Sequence, residues 1–154
     1  MSISVIILAA GAGTRMRSSK PKVLHELAGI PMLEHVYNTS MKLGAKQVQV
    51  VYGHGGELVK QQCQHFAVEW VLQEAQLGTA HAVEQAVPNI NGEDVALVLY
   101  GDVPLIKVET LELLIKQVKG NNVSLLTVKL PDPTGYGRIV RKDGKVIEIG
   151  RAHV

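Results

Sequence analysis

The chain has 154 residues, of which 46% are hydrophobic, so it can bury one substantial core and predicts a single domain or most of one. Its net charge is only +2 and its 16 basic residues form no run, which argues against a nucleic-acid-binding protein. No apolar stretch reaches the roughly 18 residues of a membrane span, and the amino terminus lacks a basic signal-peptide region. Cys63 is the single cysteine. We therefore expect a cytoplasmic protein without a membrane span or disulfides.

The first predicted element is an apolar strand over Ser4–Ala9, which runs into a loop of small residues. Gly11 and Gly13 let the backbone approach an anion closely, so that main-chain N–H groups can converge on oxygen atoms. Arg15 and Lys22 add fixed positive charge beside this loop. The combination predicts a loop that binds nucleotide phosphates.

Two familiar phosphate loops fit this segment poorly. A dinucleotide fingerprint needs a third glycine where Met16 stands, and an acidic residue at the end of the second strand, where the sequence has Val50-Val51-Tyr52-Gly53. A Walker A loop needs four residues between its glycines and then Gly-Lys-Ser/Thr, which the segment after Gly11 does not supply. Hydride transfer on a Rossmann domain is therefore a weak alternative.

Short apolar runs then alternate with helical patterns. The sequence predicts further strands over Gln47–Tyr52, Val68–Leu72, Val95–Leu99 and Val123–Lys129, and helices over Pro31–Leu43, Gly56–His65, Gly78–Ala86 and Val108–Lys119. This alternation predicts an α/β, Rossmann-like fold with a mostly parallel sheet flanked by helices, and most strands are apolar enough to be buried on both faces. Ligands of such sheets bind beyond the carboxyl ends of the strands, so we expect the chemistry in the loops that follow them.

The loop after the third predicted strand combines an amide with a helix start. Gln73 ends the strand, and Gly78 and Thr79 open the next helix. An amide can pair with the donor and acceptor edge of a pyrimidine, and free N–H groups at a helix start can donate to its carbonyl groups. By itself, this spacing is only that of a capped helix.

The loop after the fourth predicted strand places a carboxylate at the same edge of the sheet. Tyr100, Gly101 and Asp102 follow the buried run from Val95 to Leu99. An aspartate here is suited to a hard divalent cation that bridges phosphates, although aspartates more commonly cap helices or form turns. Because the phosphate loop lies at the same edge, we favour a metal site.

Towards the carboxyl terminus, Arg138–Lys142 and Lys145–Ile147 flank Asp143-Gly144, a pair typical of a type I′ hairpin. The last residues, from Ile149 to Val154, are what one reading frame of a common sequencing-library adapter encodes. We therefore expect a partial domain over residues 1–148 and a non-native tail over residues 149–154.

Several of these segments resemble a known enzyme family. The run from Leu8 to Met16, with Pro21-Lys22, is similar to the signature of sugar-nucleotide pyrophosphorylases, which are nucleotidyltransferases. Additional segments resemble the amino-terminal domain of the bacterial bifunctional N-acetylglucosamine-1-phosphate uridylyltransferases; these are Val23–His25, Val51–Gly56, Gln73–Ala82 and Asp132–Ile139. The resemblance covers nearly the whole chain, from Ile3 to about Ile147.

The resemblance implies a reaction in which UTP and N-acetylglucosamine 1-phosphate give pyrophosphate and UDP-N-acetylglucosamine, a precursor for cell-wall peptidoglycan and lipopolysaccharide. It implies Mg²⁺ on Asp102, Arg15 on the UTP phosphates and Lys22 near the transferring phosphoryl group. No general base is needed, because a phosphate monoester has a second pKa of about 6 and its oxygen is already ionised. The implied substrate-binding residues are Leu8, Ala9, Ala10, Gly11, Lys22, Gln73, Gly78, Thr79, Tyr100, Gly101, Asp102 and Gly137.

The same resemblance implies parts that this sequence lacks. Full-length relatives carry a β-helix acetyltransferase domain through which they form homotrimers. Arg151 stands where the family has a sugar-contacting glutamate, and the second metal ligand is missing, so we expect the chain alone to be inactive. The alternatives are another sugar-1-phosphate nucleotidyltransferase and a non-catalytic regulatory domain that binds nucleotide.

Overall fold

The computed structural model describes residues 2–11, 16, 18–53, 55–92 and 94–151. The chain divides into two compact units, Met1–Ser124 and Leu125–Val154. The described strands and helices are, in chain order, β1 (Ile3–Leu8), β2 (Glu26–Leu27), β3 (Ile30–Pro31), α1 (Met32–Lys42), β4 (Gln47–Tyr52), α2 (Glu57–Gln62), β5 (Glu69–Leu72), α3 (Thr79–Ala86), β6 (Val95–Tyr100), α4 (Val108–Lys116), β7 (Gly137–Lys142) and β8 (Lys145–Arg151). Short 3-10 turns occupy Lys22–Leu24 and Val87–Asn89.

A four-stranded sheet is the centre of the first unit. Its spatial order is β5-β4-β1-β6, and every neighbouring pair is parallel. The carboxyl ends of all four strands therefore lie at one edge. The α/β fold predicted from the sequence, with a parallel sheet flanked by helices, is confirmed.

Different helices cover the two faces of this sheet. Because side chains alternate along a strand, Val5 and Ile7 of β1 pack in a core with residues of α1, α2 and α4, whereas Ile6 packs on the opposite face with Ala82 and Ala86 of α3. β1 and β4 are thus buried on both faces, as predicted. In β6 only alternate residues are buried, because the α3 face of that strand is exposed.

The helix ends follow local signals. α1 begins directly after Pro31, whose fixed φ suits a helix start, and the chain leaves the helix through Gly44 at a φ of +80°. The four predicted helices and the first four predicted strands are all present, and their ends differ from prediction by three residues at most. The hydrophobic pattern therefore located these elements correctly.

The predicted strand over Val123–Lys129 is wrong, since the chain has no regular secondary structure there. Val123 is 84% exposed and Val128 is 71% exposed. A strand forms only when its backbone pairs with a neighbour, and no described strand pairs with this segment. β-branched composition alone did not make it a strand.

The second unit contains the hairpin of β7 and β8. Asp143 and Gly144 connect the strands with φ values of 49° and 77°, as a type I′ turn requires, so the predicted hairpin is confirmed. Its register shifts between Val140 and Arg141. β8 continues through Ile149, which pairs with Ile139.

Candidate functional site

A cleft of about 380 Å³ opens at the carboxyl ends of the parallel strands. β1, β5 and β6 end at this cleft, and the start of α3 forms one wall. Its lining residues are Leu8, Ala9, Ala10, Gly11, Met16, Lys22, Val23, Gln73, Gln76, Gly78, Thr79, Ala82, Tyr100 and Asp102. This is the position at which open α/β sheets bind ligands.

Most of the residues singled out in the sequence meet in this cleft. Ten predicted substrate-binding residues line it, namely Leu8, Ala9, Ala10, Gly11, Lys22, Gln73, Gly78, Thr79, Tyr100 and Asp102. Gly101 lies behind the wall, where its N–H donates to the carbonyl of Leu8 at 2.9 Å. Gly137 lies in the second unit, and Arg15 lies outside the described residues.

The first loop is fixed from the side by the segment that follows β5. The Gln76 side chain donates through Nε2 to the carbonyl of Ala10 at 3.0 Å. Gly53, which follows β4, lies against this bond: a Cβ there would be 2.6 Å from Gln76 Nε2 and 2.8 Å from the Ala10 oxygen. Only glycine leaves room for the three segments to meet.

Lys22 and Asp102 form an ion pair across the cleft. Lys22 Nζ lies 2.6 Å from Asp102 Oδ2, and the two side chains are 39% and 31% exposed. Buried Val23 and Leu24 anchor the 3-10 turn that carries Lys22. Asp102 lies two residues after the end of β6, so both charges are positioned by neighbouring elements and remain partly exposed to solvent.

Gln73 is the most buried polar side chain of the cleft, with 3% of its surface exposed. Its backbone N–H continues the sheet ladder by donating to the carbonyl of Tyr52 at 2.8 Å. Its Nε2 lies 3.1 Å from the carbonyl oxygen of Gly78 and 3.1 Å from Nδ1 of His81. Gly78 has a φ of +107°, which favours glycine at this helix start.

Sequence reasoning assigned no role to three residues that shape the cleft. Gln76 and His81 belong to the segment already identified around Gln73. Gln76 contacts Ala10, which is distant in the sequence, and His81 reaches the Gln73 side chain only because of how α3 begins. Gly53 was noted within the segment Val51–Gly56 that carries the family resemblance and for lacking the acid of a dinucleotide site, but no contact was assigned to it. The position of Gln76, two residues before the glycine that precedes α3, was the signal that could have indicated its role.

Among the described residues, Asp102 is the carboxylate that a metal ion in this cleft would meet. Among the described residues, no three His, Cys, Asp or Glu side chains are grouped as a metal site. Asp102 is the carboxylate that lines the described cleft. Mg²⁺ commonly binds through one or two carboxylates together with substrate phosphates and water, so Asp102 fits that mode of binding.

Within the part of the chain that the structure describes, no helix has the length and apolarity to cross a membrane.

Comparison with known proteins places this fold and cleft in a family. The MobA-like NTP transferase domain matches residues 5–140. A nucleotidyl transferase from Methanothermobacter is 25% identical, with a TM-score of 0.71 over 77% of this chain and 59% of that protein. CMP:2-keto-3-deoxy-manno-octonic acid synthetase, solved with CTP, is 29% identical, with a TM-score of 0.57 over 75% of this chain and 46% of that protein.

A third solved protein, Rv0371c from Mycobacterium tuberculosis, shares the fold. It is 20% identical, with a TM-score of 0.67 over 75% of this chain and 60% of that protein. This chain therefore spans between 46% and 60% of the length of these solved proteins. The match over residues 5–140, together with the cleft at the carboxyl edge of a parallel sheet, shows that the chain belongs to the MobA-like NTP transferase domain family.

Proposed function

We propose that the chain provides the nucleotide-binding part of a nucleotidyltransferase that forms UDP-N-acetylglucosamine and pyrophosphate from UTP and N-acetylglucosamine 1-phosphate. The observation that carries the proposal is that one cleft combines a buried amide, Gln73, with the cation of Lys22 and the carboxylate of Asp102. A pyrimidine and a chain of phosphates need these two kinds of contact at opposite ends.

The uridine end lies at the start of α3. Gln73 and the free N–H groups of the first helical turn, beginning at Thr79, offer polar contacts to a pyrimidine edge. The backbone from Leu8 to Gly11 supports the nucleoside on the other side of the cleft. Because Gln73 is buried and hydrogen-bonded, a base paired with it meets an ordered partner rather than a mobile one.

The phosphate end lies at the ion pair. Lys22 Nζ donates to Asp102 Oδ2. The Asp102 side chain is 31% exposed, so it can also hold a divalent cation. Mg²⁺ bound there would neutralise negative charge on the phosphates. Rv0371c has also been solved with manganese, which is a divalent cation of the same preference for oxygen ligands.

Lys22 is proposed to turn from Asp102 towards the phosphates when nucleotide binds. An ammonium group on a flexible stem can exchange one anion for another at little cost, because the pair is partly exposed. The phosphate oxygen of the sugar 1-phosphate attacks the α-phosphorus of UTP, and the bond to pyrophosphate breaks. Lys22 stabilises the charge on the transferring group, and Arg15 is proposed to contact the departing phosphates.

CTP is the second candidate nucleotide. The synthetase that was solved with CTP is 29% identical to this chain over 75% of its length. Cytosine and uracil differ at ring position 3 and at the exocyclic group, so the polar atoms around Gln73 decide between them.

Calorimetric titration of the 154-residue chain with UTP, CTP and NAD tests the proposal. We expect UTP to bind, and to bind more tightly with Mg²⁺ than without it. We also expect UTP to bind more tightly than CTP or NAD. Asp102→Asn should remove the Mg²⁺-dependent gain but keep metal-free binding, because it removes a ligand of the cation and spares the base contacts. Glu112→Gln, at an exposed position of α4 outside the cleft, is the control and should behave as wild type. Tighter binding of NAD than of UTP would contradict the proposal.

A further inference from the structure

The neighbours of the Gln73 amide fix its orientation. Its nitrogen atom, Nε2, lies 3.1 Å from the carbonyl oxygen of Gly78, and this oxygen also accepts a hydrogen bond from the N–H of Ala82 at 3.1 Å. A carbonyl oxygen can only accept hydrogen bonds and has two lone pairs. The amide atom that faces Gly78 must therefore be the NH₂ group, and the opposite orientation would place two acceptors against each other.

The same NH₂ group also faces a histidine ring. Gln73 Nε2 lies 3.1 Å from Nδ1 of His81, one turn into the helix that Gly78 opens. Since the amide nitrogen is a donor, Nδ1 can bond to it only as an acceptor, which requires the proton of the neutral ring to be on Nε2. Both hydrogens of the Gln73 amide are then used inside the protein, and Oε1 is the polar atom left for a ligand.

We propose that His81 is a positioning residue that makes the cleft selective for uracil over cytosine; this inference rests on the proposed function. Uracil carries a hydrogen on N3 and cytosine carries a lone pair there. Oε1 of Gln73 can accept from the N3–H of uracil, whereas it meets the N3 lone pair of cytosine with repulsion. His81 does not line the cleft, so it acts on the base through Gln73.

Gln85 provides a matched control on the other side of the ring. Its Nε2 lies 3.3 Å from the backbone oxygen of His81, which can only accept, so the Gln85 NH₂ group donates to that oxygen. With the ring proton on Nε2, the 3.3 Å approach of Gln85 Nε2 to His81 Nε2 is a contact and not a hydrogen bond. Gln85 thus contacts the same imidazole as Gln73 does, but it does not line the cleft. A variant of Gln85 disturbs the surroundings of His81 while leaving the bond between Nδ1 and Gln73 in place.

The first test measures the ratio of the dissociation constants for CTP and UTP by calorimetry on the 154-residue chain. His81→Leu removes one of the two acceptors that hold the Gln73 NH₂ group and leaves the Gly78 carbonyl alone to orient the amide, so the preference for UTP should fall about tenfold. His81→Asn should restore it to within about twofold, because the Asn side-chain oxygen can stand near the position of Nδ1. Gln85→Leu should keep the wild-type ratio.

The outcomes separate this inference from the proposed function. If wild type prefers UTP and His81→Leu keeps the full preference, His81 does not position the amide, while the proposed function stands. If wild type binds neither nucleotide, the proposed function fails and selectivity through His81 fails with it. Equal loss in His81→Leu and His81→Asn would indicate a packing role and overturn the inference.

A second measurement needs no nucleotide and no variant. Nitrogen-15 chemical shifts of the His81 ring in the ligand-free protein report which nitrogen carries the proton. We expect the proton on Nε2, together with slowed exchange of the Gln73 side-chain NH₂ group. A proton found on Nδ1 would overturn the inference even if UTP binds well, since Nδ1 could then not accept from Gln73.

Discussion

At the scale of single residues, the ion pair of Lys22 and Asp102 contributes little to the stability of the fold. Both side chains remain about one-third exposed. An ion pair in such surroundings typically contributes about 0 to 1 kcal/mol to folding, because water screens the charges and ordering the side chains costs entropy. Opening the pair therefore costs the folded protein little, as the proposed binding of phosphates requires.

Lys22→Met should separate binding from stability. We expect UTP affinity to fall about tenfold, because one charge-assisted contact to phosphate is lost, while the free energy of unfolding changes by less than about 1 kcal/mol. Calorimetry and urea denaturation measure the two effects. Lys20→Met is the matched control, since Lys20 forms an exposed pair with Glu26 at 3.5 Å and does not line the cleft. A large loss of stability in Lys22→Met would instead assign the pair a structural role.

The Cys63 thiol should be unreactive in the folded protein. Burial, with a smaller effect from the charge of Glu34, raises the pKa of Cys63 from 9.0 to about 11. Little thiolate therefore exists at pH 8, and we expect a disulfide reagent to label Cys63 only after unfolding in urea. Rapid labelling without denaturant would contradict this.

The same shift predicts how stability depends on pH. Between about pH 9 and pH 11 the unfolded chain loses the Cys63 proton while the folded chain keeps it, so the free energy of unfolding should fall as pH rises through this range. Urea denaturation of wild type and Cys63→Ala at several pH values measures this effect. The stability difference between the two proteins should move in favour of Cys63→Ala as pH rises.

At the scale of secondary-structure elements, a carboxylate joins β1 and β6 at their amino ends. Asp94, just before β6, accepts hydrogen bonds from the hydroxyl groups of Ser2 and Ser4, and the bond from Ser4 is 2.7 Å long. These hydrogen bonds lower the pKa of Asp94, with Ser2 having the larger effect. Ser4 is fully buried, so its hydroxyl group depends on this partner.

Ser4→Ala should therefore lower stability at pH 7, and the loss should shrink in acid. The hydrogen-bonded carboxylate stabilises the fold above its unfolded pKa of 3.8, and this stabilisation disappears as pH falls through the lower folded value. Thermal melts at pH 7 and at about pH 3 compare the two proteins. Ser40→Ala is the control: Ser40 is equally buried, but it donates to the carbonyl of Val36, which does not titrate, so its effect should not depend on pH in this way.

At the scale of the whole molecule, β6 leaves apolar surface uncovered. It pairs with β1, and no other described strand pairs with its second edge. On its exposed face Val98 is 37% exposed and Tyr100 is 51% exposed. An unpaired edge with apolar side chains favours association between chains.

Val98→Lys should reduce concentration-dependent self-association in sedimentation velocity experiments. A charge on an edge strand opposes pairing with another chain and costs little where the side chain already reaches water. Val87→Lys is the control, because Val87 is 52% exposed but lies in a 3-10 turn away from the sheet. Equal improvement in both variants would indicate a general effect of charge and not of the β6 edge.

The sequence predicted much of the site because its chemistry is local. Glycines after a strand, a basic residue after a proline, and a carboxylate after a buried strand are each readable within a few residues, and ten of the predicted binding residues line one cleft. The binding roles assigned to these ten residues, to Arg15 and to Gly137 stay predictions. Gln76 and His81 were missed because their importance lies in what they contact, Ala10 and the Gln73 amide.

The sequence by itself determined the alternation of strands and helices and the place of the glycine-containing segment after β1, because hydrophobic periodicity and glycine and proline positions act over short distances. Only the tertiary structure decided that β1 lies between β4 and β6, which brings Gln73 and Asp102 to the same cleft from loops that are far apart in the chain. It also decided that Val123–Lys129 is not a strand. Strand pairing and amide orientation both depend on partners distant in sequence or set by the folded backbone, and no local pattern specifies those partners.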